Sequence, residues 1–379
     1  MALEDIRKQI DEVDGELTAL FCRRMDLVGQ VAEAKKAEGV PQRQRERERA
    51  ILARAAAQAG PYAAYARLLY TTLFDVSCAY QGQLTAPRGK LTEQIRRAVE
   101  ETPALFPTGG TVACQGAEGA YSAQACDKLF PAAEVTWFRS FEHVCDAVES
   151  GLCRFGILPI ENSSNGSVSS VYELMKEKRF HIVRSTRLSV RHQLLALPGV
   201  ELADIREIAS HEQAIGQCSR FLNGLRGVRI TPAANTALAA KELAASGRRD
   251  LAVIAAPQCG ELYGLRPVAE NVQNNDNNHT RFICIEKELR VYPGADRISL
   301  MLSAPHRPGG LYELIGKFAA LGLNLTKLES RPIAGSDFEF LFYFDLMASV
   351  RMPEVPPLLE ELAAGCDTFA FLGNYAEVV

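Results

Sequence analysis

From Leu3 to about Lys36 the chain contains no proline and a single glycine, Gly15, while apolar residues recur at Ile6, Ile10, Val13, Leu17, Leu20, Leu27, Val31 and Ala34. Steps of four and three put these side chains on one seam of a helix on the order of 50 Å long at ~1.5 Å per residue. So long a seam in so short a segment needs partners. Gly39 and Pro41 end it, a second helical pattern runs from about Gln42 to Ala59, Gly60-Pro61 breaks again, and a third runs from about Tyr62 to Gln83. Three unequal helices bury one another poorly as a monomer, so the pattern predicts an intertwined helical dimer ending near Leu84.

The rest of the 379 residues change period. Residues 85–110 carry prolines and glycines at both ends of a short charged helix and read as a linker. TVACQG (111–116), EVTWF (134–138), FGILPI (155–160) and LAVIAA (251–256) are short apolar runs separated by helical stretches, the alternation of an α/β domain with a largely parallel sheet. From Arg297 the order is strand, helix, strand, strand, helix, strand within about eighty residues, the split βαβ arrangement. The expected fold class is therefore multidomain α and α/β.

Composition excludes other classes. At 47% hydrophobic and 23% charged the chain can bury sizeable cores, and its net charge of −4 offers no basic field for nucleic acid. The ten cysteines form no C-x-x-C pair and no cluster with the six histidines, which argues for reduced, mostly buried thiols and against a structural metal. MALEDIRKQIDEVD lacks an apolar signal-type core and no stretch reaches the length of a membrane span, so a cytoplasmic protein is expected.

Continuing the first seam past Leu20 predicts an apolar residue where Arg24 stands. A guanidinium there is costly unless something anionic meets it. Lys35, eleven residues on, returns to within about 20° of the same face, while Arg7, seventeen residues earlier, points about 100° away and suits a different pocket, such as one in a partner chain. Arg47 and Glu48 follow in the second helix, and Ser77 and Gln81 share a face of the third. Each has an ordinary alternative: RQRERER (43–49) as a solvated face, Arg24 paired with a glutamate. Together Arg7, Arg24, Lys35, Arg47, Glu48, Ser77 and Gln81 resemble the all-helical chorismate mutase domain over residues 3 to about 84. The resemblance implies a Claisen rearrangement needing neither nucleophile nor proton transfer. Arginines would hold the substrate carboxylates in the compact conformer, Glu48 would accept its hydroxyl, and Lys35 and Gln81 would donate to the ether oxygen. Gln44 stands where that family more often has an acidic residue.

Polar loops follow the apolar runs of the central segment: GAEGAYS (116–122), ENSSNGSV (161–168), SHEQAIGQC (210–218) and NNDNNHTRF (274–282). In open α/β sheets ligands sit at the carboxyl ends of strands, and helix starts rich in Ser, Asn and Gly suit a carboxylate. Singly these read as caps and turns. In this order they resemble prephenate dehydratase over residues 111 to 286, implying two lobes of periplasmic-binding-protein type, 111–187 with 269–286 and 188–268. By that resemblance Thr280 would protonate the leaving hydroxyl, with His211, Glu161 and His279 as alternatives. Asn162, Ser210, His211 and Gln217 would contact substrate, Arg281 would pair with a carboxylate, and Phe282 would pack beside Thr280. Ala120 replaces the family's commoner Thr.

RPGGL (307–311) and NLTKLESRP (324–332) resemble the phenylalanine-responsive ACT domain over 297–379, a ferredoxin-like βαββαβ fold that usually pairs sheet to sheet. The resemblance implies effector contacts at Gly309, Gly310, Leu311, Asn324, Glu329, Ser330, Arg331 and Pro332, with Gly310 in place of the commoner Ala. In the order mutase, dehydratase, ACT, the chain resembles the bifunctional enzymes of phenylalanine biosynthesis. They act on chorismate and prephenate without cofactor or metal, and the resemblance implies feedback inhibition by phenylalanine. A homodimer is expected, with a tetramer open. Rivals are an arogenate dehydratase, a non-catalytic phenylalanine sensor and, distantly, a nucleic-acid binder.

Overall fold

The computed structural model describes residues 3–40, 44–85, 89–333 and 340–379. Pro41, Gln42 and Arg43, expected to carry the first helix break and the start of the second helix, lie outside the described residues, as do residues 86–88 of the expected linker. The chain forms two compact units, residues 1–97 with 297–371 and residues 98–296 with 372–379.

The first unit opens with α1 (Leu3–Glu38), α2 (Arg45–Ala59) and α3 (Ala63–Thr85), followed by α4 (Lys90–Glu101), whose last four residues belong to the second unit. The three helical patterns become three helices, with α3 packed against both α1 and α2. Within one chain the α1 seam stays uncovered: Ile10, Val13, Leu17 and Leu20 are 53, 62, 53 and 63% exposed.

The second unit comprises β1 (Gly109–Gln115), α5 (Tyr121–Leu129), β2 (Ala132–Phe138), α6 (Phe141–Glu149), β3 (Phe155–Asn162), β4 (Gly166–Ser167), α7 (Ser169–Glu177) and β5 (His181–Ser189), which form the first lobe. The second lobe holds β6 (Gln193–Ala196), β7 (Glu207–Ser210), α8 (Glu212–Gln217), α9 (Ser219–Asn223), β8 (Arg229–Pro232), α10 (Thr236–Ser246), β9 (Leu251–Ala255), α11 (Pro257–Tyr263) and β10 (Arg266–Ala269), with strand order β10-β6-β9-β7-β8. The chain then returns to the first lobe through β11 (His279–Glu286), which lies antiparallel between β3 and β5. The ladder with β3 slips one residue between Arg281 and Phe282, where Pro159 has no N–H to donate.

The remaining elements are β12 (Arg297–Ser303), α12 (Gly310–Ala320), β13 (Asn324–Pro332), β14 (Phe340–Met347), α13 (Val355–Gly365) and β15 (Phe369–Val378), the expected βαββαβ order. β14 pairs antiparallel with both β12 and β13. In the first unit α12 and α13 pack on α3. The Glu360 carboxylate accepts from the Thr92 N–H (2.9 Å) and hydroxyl (3.1 Å), capping the start of α4, and Glu361 pairs with Lys317 at 2.6 Å.

Two boundaries differ from those read in the sequence. The helical segment and the βαββαβ segment share one unit, because α3 is covered by α12 and α13. Residues 372–379, expected within the C-terminal domain, belong to the second unit, because the far end of β15 pairs in parallel with β5 through Ala376, Glu377 and Val378. Gly373 permits that approach: its φ is +150° and a Cβ would sit 2.2 Å from the Ile182 carbonyl oxygen. Gly373→Ala is therefore expected to destabilise the second unit by about 1–3 kcal/mol. Denaturant melts of the two proteins check this, and an unchanged midpoint would show that the close approach is not required.

Candidate active sites

On the helical segment Arg24 leaves α1 and its Nη1 donates to the Ser77 hydroxyl at 2.5 Å, while Lys35 Nζ donates to Gln81 Oε1 at 3.3 Å. The two cations lie about 16 Å apart along α1, yet their partners are one turn apart on α3, so the long side chains converge on one place. Ser77 and Gln81 are buried, at 5 and 6% exposure. Arg7 sits on the exposed N-terminal half of α1, and the structure does not bring it to Arg24 or Lys35; Arg47 is exposed and Glu48 half-buried in the first turn of α2. A Gln81→Glu variant is expected to hold mutase activity only at low pH. The protonated carboxyl can donate to a developing oxyanion, the ionised one cannot, and Lys35 beside it favours the ionised form, so activity should fall as pH rises through the glutamate's range. A flat pH–rate profile would remove Gln81 from the site.

In the second unit a cavity of about 310 Å³ lies at the carboxyl ends of β1, β3, β7 and β8. The starts of four helices of nine or more residues border it: Ala120, Tyr121 and Ser122 at α5, Phe141 at α6, Val168 before α7, and Asn235 and Thr236 at α10. Asn235 caps α10 by accepting the Leu238 N–H at 2.7 Å, but Ala120 has no side-chain oxygen to cap α5. The first N–H groups of α5 are thus left for an anion.

Asn162, 4% exposed, organises the wall opposite. Its Oδ1 accepts the N–H groups of Ser164 (3.0 Å) and Asn165 (2.9 Å), shaping the ENSSNG turn. Its Nδ2 donates to Asn278 Oδ1 (2.7 Å), to Thr280 Oγ1 (2.9 Å) and more weakly to the His279 carbonyl (3.3 Å). With an amide donating to its oxygen, the Thr280 hydroxyl is polarised and its own hydrogen is turned to another acceptor.

Among the residues placed together by sequence, Asn162, His211, Gln217, Thr280 and Phe282 line this cavity. Ser210 does not: it is fully buried and donates to the Ile254 carbonyl at 2.7 Å, holding β7 to β9. Arg281 does not either. Strand alternation turns it to the opposite face of β11 from Thr280 and Phe282, where its Nη2 donates to Tyr375 Oη at 2.7 Å. Of the alternative acids, Glu161 and His279 are not lining residues and only His211 is. His211 Nδ1 accepts the Gln213 N–H at 3.3 Å.

His192 was not anticipated. It lies where the chain crosses from β5 to β6, only 2% exposed, and its Nε2–H donates to Gln217 Oε1 at 2.9 Å. Burial holds its pKa below the usual histidine value, and the Gln217 bond opposes this only in part, so the ring is neutral. The signal was RHQ directly before the apolar LLA, a polar ring entering a buried strand. A second hollow, about 420 Å³, is lined almost wholly by amides, including Asn165, Gln213, Gln273, Asn274 and Asn278, which gives the asparagine run a place. Among the described residues no Asp, Glu, Lys or Arg lines either hollow.

Near β12, Leu311 borders a hollow of about 330 Å³ with Pro305, His306 and Phe342. Gly309 takes φ +82° to start α12, and a Cβ on Gly310 would lie 2.1 Å from the Pro305 carbonyl oxygen, so the Gly-Gly pair is required by the tight entry. Asn324, Glu329, Ser330, Arg331 and Pro332 lie on β13, outside the lining of that hollow, with Glu329 and Arg331 paired at 3.1 Å.

Asn162→Asp preserves shape and reverses polarity, so the Thr280 hydrogen would be drawn to the new carboxylate. Dehydration is expected to fall on the order of 10²-fold, as when a positioned donor is lost, with the rearrangement of chorismate unchanged. Assaying both reactions on one preparation checks this, and intact dehydration would take Asn162 out of the mechanism.

Comparison with known proteins agrees with this division. The family model for chorismate mutase type II matches residues 6–82, and that for prephenate dehydratase matches residues 112–290. Arogenate dehydratase/prephenate dehydratase 1 of Arabidopsis thaliana is 37% identical over 281 residues, covering 70% of this chain and 71% of the relative. A bifunctional chorismate mutase/prephenate dehydratase of Enterobacter agglomerans is 29% identical across 98% of this chain and 95% of its own. The crystal structure of prephenate dehydratase from Arthrobacter aurescens in complex with L-Phe superposes with a TM-score of 0.64 at 28% identity, covering 70% of this chain and 90% of that one. Taken with the convergence of Arg24 and Lys35 on α3 and of Thr280 and Asn162 on the cavity, these matches show that the chain belongs to the prephenate dehydratase family, as an enzyme with a chorismate mutase domain ahead of its dehydratase domain.

Proposed function

We propose that the chain catalyses two successive steps, chorismate to prephenate on the helical segment and prephenate to phenylpyruvate in the two-lobed cavity, under feedback control by phenylalanine. The observation that carries the second step is the Asn162–Thr280 hydrogen bond at the cavity wall. In that step the ring C–O bond breaks as Thr280 gives a proton to the departing hydroxyl, which leaves as water. The electron pair of the C–CO₂⁻ bond enters the ring and CO₂ departs. Aromatisation supplies the driving force, so a weak acid suffices. Neither step needs an external oxidant or reductant. In the first step Arg24 holds a substrate carboxylate, and Lys35 with Gln81 meets the ether oxygen as charge develops there. Glu48, Arg47 and Ser77 complete this reading as substrate contacts, and Arg7 serves the second subunit's site.

Prephenate is preferred to arogenate on a charge argument. Arogenate carries an ammonium where prephenate carries a keto group, and among the described residues no carboxylate lines the cavity to receive one. Phenylalanine control is supported by the βαββαβ segment and by the relative solved with L-Phe. On this reading the effector lies near Gly309–Leu311, with Asn324 and Glu329–Pro332 completing the site across an interface between copies. It inhibits by preferring a less active state. The exposed α1 seam supports a homodimer, and no helix among the described residues is long and apolar enough to cross a membrane. A cytoplasmic setting belongs to the same reading.

Purified protein given only chorismate tests this directly, with chorismate, prephenate and phenylpyruvate followed in one tube with and without phenylalanine. Phenylpyruvate formation suppressed by phenylalanine is expected. Accumulated prephenate would overturn the dehydratase assignment, and untouched chorismate would make Arg24 and Lys35 structural.

A further inference from the structure

Arg281 is next in sequence to Thr280 but works on the other side of the sheet. It is 7% exposed, its Nη2 donates to Tyr375 Oη at 2.7 Å, and its Nε lies 3.5 Å from Glu377 Oε1. Arg187 on β5 stands directly opposite Arg281 in the ladder, and its Nε lies 3.1 Å from the same Glu377 oxygen. Two guanidinium groups facing each other across a pair of strands repel. The Glu377 carboxylate, its side chain only 4% exposed, lies against both and offsets one of the two positive charges. Tyr375 and Glu377 belong to β15, whose first residues, Phe369–Phe371, lie in the unit that contains the βαββαβ segment and whose remainder lies in the dehydratase unit. One strand therefore runs from the proposed effector domain to the residue beside the catalytic threonine.

We infer that Arg281 is a positioning residue, not a substrate ligand: clamped by Tyr375 and Glu377, it sets Thr280 in register and makes dehydration depend on how the last strand of the effector domain is seated. Thr280 and Arg281 sit in unbroken register with Asn162 and Glu161, and the β3 ladder slips only beyond Arg281, before Phe282, so a small displacement of Arg281 carries Thr280 with it. The regulatory part of this inference rests on the phenylalanine reading above; the positioning part does not.

The test compares Tyr375→Phe, Glu377→Gln, Arg281→Gln and the Arg281→Gln/Glu377→Gln pair in the 379-residue chain, measuring kcat and KM for prephenate, mutase rate on the same preparation, and the phenylalanine dose response. Tyr375→Phe removes one oxygen and keeps the ring, so it carries the test should the charge variants not fold. A misplaced acid lowers kcat with KM little changed, whereas a lost carboxylate ligand raises KM. Expected are a kcat reduced by about three- to thirtyfold in the single variants with KM within about twofold, a double variant no worse than the poorer single one, and a weakened phenylalanine response. A KM raised about tenfold or more in Arg281→Gln, with Tyr375→Phe and Glu377→Gln silent, would overturn the inference and return Arg281 to the substrate. Should wild-type protein ignore phenylalanine, the feedback reading fails by itself, and the division between kcat and KM still decides the positioning role.

Discussion

The dehydratase unit depends on the double pairing of β11. This strand brings the chain back from the second lobe and inserts antiparallel between β3 and β5, with partners on both sides along its length. Its first turn of side chains can therefore shift only if two ladders shift with it. Thr280 opposite Asn162, Phe282 opposite Pro159 and Arg281 opposite Arg187 all follow from that register. The Asn162 amide then works on a fixed target: its bonds to Asn278 and Thr280 connect the ENSSNG turn to the start of β11 and turn the threonine hydrogen to another acceptor.

Two anionic substrates are handled in opposite ways within one chain, and the chemistry explains why. On the proposed reading, a Claisen rearrangement keeps both carboxylates, so a cation such as Arg24 can stay paired with one throughout, while Lys35 meets the ether oxygen where charge develops. Loss of CO₂ destroys a carboxylate charge, and a cation paired with it would stabilise reactant more than transition state. The dehydratase cavity accordingly offers helix starts, amides, hydroxyls and a neutral imidazole, with Arg281 turned away to Tyr375. The open N-terminus of α5 at Ala120 fits the same scheme, since a capping side chain there would compete with substrate for N–H groups.

Much of this was legible in the sequence because it rests on period. The four-three seam gave α1 and the cationic interruption at Arg24, and the alternation of short apolar runs with polar loops located the strand ends that border the cavity. Proximity in sequence misled at Arg281 and Ser210, each adjacent to a residue that does face the cavity. In a strand, neighbours point to opposite faces, so Thr280 and Arg281 cannot share a wall. Strict application of that alternation would have separated them. His192 was hidden for a different reason: its role comes from the crossing between lobes, which brings residues 192, 217 and 273 together, and no local pattern encodes that meeting. The unit boundary at residue 372 depends on a strand long enough to serve two partners, which apolar runs do not reveal.

The path of β15 also sets an order of assembly. The sheet begun by β1 at residue 109 receives its β15 strand only when residues 372–378 arrive, after the whole intervening βαββαβ segment has been synthesised. Such pairing across a long stretch of chain carries a large loop-closure cost and forms late. Until then the paired arginines of β5 and β11 face each other without Glu377. A nascent chain would hold its helical segment, with the exposed α1 seam, well before the sheet of the second unit gains the Glu377 carboxylate.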